Sequence, residues 1–71
     1  MTLRELLVVV RPAQKIRLKQ SMNDQGLDCL RYEILDESGL FGSTVPDSVL
    51  DRTVVVMHTL IDENRLLIRV R

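Results

Sequence analysis

The chain has 71 residues, 45% of them hydrophobic, and its ten basic and ten acidic side chains balance to zero formal charge. That length makes one domain over residues 1–71, with an interior so small that close packing or self-association must support it. Zero net charge excludes a whole-molecule field toward nucleic acid or anionic lipid, the single Cys29 excludes an internal disulfide, and no Cys/His set has zinc-ligand spacing.

Leu3 to Val10 ends in Val8-Val9-Val10, a β-branched run that predicts a first strand covered on both faces. Arg11-Pro12 follows, and proline suits a first helical turn, so a helix is expected over Ala13 to Gln25, with Ile16, Leu18 and Met22 inward and Gly26 as a left-handed cap. From Leu27, the alternation of Leu30, Tyr32 and Ile34 with Arg31 and Glu33 predicts a half-buried strand. Asp36-Glu37-Ser38-Gly39 has the composition of a hairpin turn, leading into a short strand Leu40 to Val45. Thr44-Val45-Pro46-Asp47 repeats the strand-proline junction, with Asp47 placed to cap a second helix.

Beyond it, Leu50, Val54, Met57 and Ile61 form a helical stripe with Val49, Val56 and Leu60 beside it, so a helix reaching Ile61 is expected. The alternative is a hairpin, with a β-branched strand from Thr53 to Ile61 turning at Asp62-Glu63-Asn64. Arg65 to Arg71 is a strand in both cases, with Leu66, Ile68 and Val70 on one face and Leu67, Arg69 and Arg71 on the other. The expected fold is α+β, a ferredoxin-like βαββαβ arrangement with two helices on one face of a four-stranded antiparallel sheet. Its open face would carry Arg31, Glu33, Leu67, Arg69 and Arg71, a surface suited to self-association.

Val10-Arg11-Pro12, the helix ending at Gly26, the strand Leu30 to Leu35, and Val45-Pro46-Asp47 leading into Val49-Leu50-Asp51-Arg52 together resemble the PII signalling proteins. The resemblance implies the same scaffold and a homo-oligomer, with a trimer favoured. It does not extend to that family's long loop between the second and third strands, replaced here by a few residues around Gly39. Nor does it extend to the family's phosphate-holding loop, where this chain has Asp62-Glu63-Asn64-Arg65. Two carboxylates without a glycine are a poor cradle for phosphate.

No residue constellation points to catalysis, a metal or a cofactor. His58 has no second His or Cys to complete a site, and Cys29 has no neighbouring base to activate its thiol. Asp36/Glu37, Asp47/Asp51 and Asp62/Glu63 sit where acids cap helices and turns, and Gly39-Leu40-Phe41-Gly42-Ser43 lacks the Lys-Ser/Thr of a phosphate loop. Arg11, Lys15 and Lys19 recur every four residues as a basic stripe with Arg17 beside it, and Arg65, Arg69 and Arg71 form a second patch. The partner-binding candidates are therefore Arg11, Lys15, Lys19, Arg31, Arg69 and Arg71. They suit a non-enzymatic regulatory module that binds a protein or small ligand. A nucleic-acid-binding regulator using Arg11, Lys15, Lys19 and Arg69 is the alternative, and it lacks stacking aromatics on the open face. Leu6–Val10 is too short to cross a membrane and Glu5 is foreign to a secretory signal, so a cytoplasmic protein is expected.

Overall fold

Thr2 and Glu5 decide the first element. In the structure, a computed structural model describing residues 1–35 and 45–71, Thr2 Oγ1 accepts from the Glu5 amide at 3.2 Å. Glu5 Oε1 accepts from the Thr2 amide at 2.9 Å, completing a capping box that opens helix α1, Leu3–Val8. Leu3, Leu6 and Leu7 bury at helical spacing. The expected strand over Leu3 to Val10 is therefore a helix, because capping and amphipathic spacing outweigh the strand preference of the valines. Pro12 stands just after the helix rather than opening one, a position where it stops the chain from continuing helical.

The expected helix from Ala13 is also replaced. Lys15–Lys19 forms strand β1, with Ile16 and Leu18 fully buried and Lys15, Arg17 and Lys19 on the opposite face. Gly26 keeps its positive φ of 95°, in the loop leading to strand β2 and not at a helix cap. Asp24 shapes that loop by accepting from the amides of Gln20 and Gly26 at 2.9 and 3.0 Å. These bonds favour its charged form and hold its carboxyl below the usual range.

β2 spans only Leu27–Leu30, after which Arg31–Ile34 forms a single helical turn, α2. The alternation expected through Ile34 is broken because the Arg31 and Tyr32 amides turn back to the carbonyls of Gln14 and Pro12. The expected hairpin at Asp36 to Gly39 and strand Leu40 to Val45 lie outside the described residues, apart from a buried Val45. Pro46 does precede a helix, but α3 covers only Asp47–Leu50, and Asp47 makes no side-chain cap. The long helix to Ile61 is overturned in favour of the hairpin: β3, Val54–Leu60, turns through a 3₁₀ segment, Ile61–Glu63, and a left-handed Asn64 into β4, Arg65–Val70.

The sheet is mixed, with order β2-β1-β4-β3. β1 is antiparallel to β2 and parallel to β4, while β3 and β4 are antiparallel with a bulge between Val54 and Val56. The molecule is thus α+β, but its described elements run α-β-β-α-α-β-β, and the sheet is not wholly antiparallel. The core joins Leu3, Leu7, Ile34 and Leu50 to Ile16, Leu18, Ile68 and Val70, which places the helices on one face of the sheet. The other face is covered by no described helix; of the residues expected on it, Leu67 and Arg69 lie there, whereas Arg31 and Glu33 fall in α2. At the outer edge of β3, Thr2 bridges to Thr53, the Val54 amide donates to Met1 O, and the Leu3 amide donates to Arg52 O. No described helix is long and apolar enough to cross a membrane.

Candidate functional site: the basic face of the sheet

The parallel register of β1 and β4 sets Lys15 beside Arg65, Arg17 beside Leu67 and Lys19 beside Arg69, all on the open face. β3 adds Leu60, His58 and Val56 opposite Arg65, Leu67 and Arg69. The surface is a pair of adjacent cationic rows on the two central strands, bordered by a mostly apolar third. Like charges side by side in a sheet repel, so this arrangement carries a standing electrostatic cost.

Part of that cost is offset internally. Arg17 Nε donates to Asp28 Oδ1 at 2.8 Å, and its Nη2 donates to Glu63 Oε1 at 2.9 Å, so one guanidinium ties β2 to the turn after β3. The Asp28 carboxyl is held below its usual range chiefly by this bond, and the Arg17 guanidinium is pushed further into its charged form by Asp28 and Glu63. The Arg17 stem crosses Gly26 so closely that a Cβ there would lie 2.7 Å from Arg17 Cγ. Arg65 lies 3.8 Å from Asp28 and donates to Ile16 O at 3.3 Å. Lys15, Lys19 and Arg69 make no ion pair among the described residues. Glu33 joins Asp28 at the Lys15 corner, but cations still outnumber carboxylates on this face.

The candidates proposed from sequence divide accordingly. Lys15, Lys19 and Arg69 share the open face, although Lys15 and Lys19 do so through strand alternation and not helical spacing. Arg11 sits in the turn before β1 and shares a depression with Gln14, Lys15 and Asn64. Arg71 follows β4, its amide donating to Thr53 O, and lines a groove of about 510 Å³ with Gln20, Ser21, Met22, Val55 and Arg69. Arg31 does not belong to the surface. It is 4% exposed, and its Nε and Nη1 donate to the carbonyls of Val10 and Leu35 at 3.0 and 2.7 Å. Arg17 and Arg65, neighbours of the candidate set in sequence, are central in space, and the signal for Arg17 was the alternation Lys15-Ile16-Arg17-Leu18-Lys19 itself.

The chain matches no protein family, curated protein or solved structure in such comparisons. His58 is exposed on β3, opposite Leu67, and no group of His, Cys, Asp or Glu among the described residues is arranged to hold a metal ion. Cys29 is buried against the core, and burial, reinforced by Glu33 and Asp28, pushes its thiol up to about 11. A thiol so protonated at neutral pH is a poor nucleophile.

Proposed function

We propose that this chain is a small non-enzymatic binding module that acts as a homo-oligomer and receives an acidic segment of a protein partner on the open face of its sheet. The observation that carries this is the pairing of Lys15 with Arg65 and Lys19 with Arg69 across two parallel strands. An extended acidic segment laid along the strands would place carboxylates against both rows, relieving the repulsion and giving Lys15, Lys19 and Arg69 their counter-charges. Leu67 and Val56 supply apolar contact between the charges. A nucleic-acid strand would meet the same cations, but among the described residues this face offers a base only the His58 imidazole to stack on, and no Phe, Tyr or Trp ring.

Fluorescence anisotropy with a Glu/Asp-rich peptide and a single-stranded oligonucleotide of equal charge, each at two salt concentrations, tests the assignment. The peptide should bind more tightly, and K15E/K19E/R69E should abolish binding while leaving the circular dichroism unchanged. Tighter oligonucleotide binding with a steep salt dependence would establish nucleic-acid recognition instead. Binding of neither ligand would remove the face as a docking site for anions.

A further inference from the structure

We propose that the outer edge of β3 is a self-association surface on which a second copy of this chain adds its own β3 antiparallel, joining the four strands of each copy into one continuous sheet. This assignment rests on the self-association in the function proposed above and is independent of the acidic partner.

β3 lies at the sheet edge, and Met1 and Thr2 cover only its beginning, around Thr53 and Val54. From Val56 to Leu60 its outer side has no backbone partner among the described residues. Natural edges are blunted by short length, charge, proline or bulges. β2, the opposite edge, is four residues long and carries Asp28. β3 has seven residues with no proline, lysine, arginine or carboxylate, and its bulge lies at the end already covered.

The free span is complementary to itself. Two identical strands pair antiparallel about a two-fold axis perpendicular to the sheet, which keeps like faces on the same side. Residues opposite one another must then share a face, and the register that uses all of Val56–Leu60 meets this condition. It sets Val56 opposite Leu60 of the second copy, Met57 opposite Thr59 and His58 on the axis. Met57 is 55% exposed although its β4 neighbour is the buried Ile68, and the added strand would cover it.

Charge selects the same partner. Arg52 stands beyond one end of the strand and Asp62 beyond the other, so antiparallel pairing brings Arg52 of each copy toward Asp62 of its mate, twice per dimer. Among the described residues the Arg52 guanidinium has only a 3.4 Å contact to the Gln20 amide oxygen, and Asp62 makes no ion pair. Both basic faces emerge on one side of the joined sheet, with the two β4 strands three strand spacings, about 14 Å, apart. A single long acidic partner could then engage both faces.

Sedimentation equilibrium of the full chain across a dilution series should show a monomer–dimer equilibrium in the micromolar range, as befits a contact smaller than a standard interface. R52E and D62R should each weaken it tenfold or more, and R52E/D62R together should restore it. H58K, which sets two lysines on the axis with their Cα atoms about 5 Å apart, should give monomer, while H58V should remain dimeric. Circular dichroism confirms that each variant folds. A monomer at every concentration, a trimer, or a dimer indifferent to these substitutions would overturn the assignment. K15E/K19E/R69E should still dimerise, so loss of anion binding and loss of self-association are read separately.

Discussion

Replacing Arg31 with alanine should cost this protein a large share of its stability without touching the basic face of the sheet. The guanidinium is buried and holds the carbonyls of Val10, just past the end of α1, and Leu35, at the end of α2. Hydrogen bonds from a charged donor contribute about 1.5–3 kcal/mol each, and removing them leaves both oxygens short of a buried donor. The expected loss is about 3–5 kcal/mol. A domain of this length has roughly 4–10 kcal/mol in total. Urea denaturation followed by circular dichroism would measure it directly, and the melting temperature should fall by at least about 12 °C. Arg31→Lys, which keeps the charge but not the two-pronged reach, should lie between. A loss below about 1 kcal/mol for Arg31→Ala would show that these bonds are not what fixes the ends of α1 and α2.

Gly26→Ala should destabilise by about 1–2 kcal/mol because its φ of 95° is strained for an L side chain and the new Cβ meets the Arg17 stem. In an Arg17→Ala background the steric part should vanish, and a cycle showing no coupling between the two sites would refute that contact. Thr2→Ala removes one half of the capping box and should cost about 1 kcal/mol in chemical denaturation, with Glu5→Gln costing less. Asp24 and Asp28 have folded-state acidities lowered below the usual 3.8, so the stability they contribute is complete above that value and is lost as pH falls through their lower folded values. Cys29 has the opposite consequence. Its folded value is raised from 9.0 to about 11, so stability should decline between those limits as the unfolded thiol ionises first, and Cys29→Ala should flatten that alkaline slope.

How much of this was legible in the sequence depends on whether an element is set by its neighbours in the chain or by distant ones. The last strand was plain, since Leu66, Ile68 and Val70 recur at every second position and find the core as expected. The Thr2–Glu5 capping box was equally present, but three valines at the other end of the same segment pull toward a strand, and only packing of Leu3, Leu6 and Leu7 resolves the conflict. Residues 53–61 satisfy both a helical stripe and a hairpin, and the decision comes from β4, which pairs with β3 from Val54 to Leu60 except at the bulge. Arg31 shows the limit for the site. Nothing in its local sequence distinguishes it from a surface arginine, because the carbonyl of Val10 that buries it lies 21 residues away.

The parallel pairing of β1 with β4 also sets a condition on folding order. Arg17 and Glu63, which close across it, are 46 residues apart, and the strands cannot meet until that intervening length is ordered or looped out. Until β4 arrives, β1 is an edge with the apolar side chains of Ile16 and Leu18 left without their neighbours Leu66 and Ile68. During synthesis the early part of the chain must therefore wait, exposed to aggregation and proteolysis, for its last strand to emerge. A truncation within β4 should be felt first as poor accumulation in the cell.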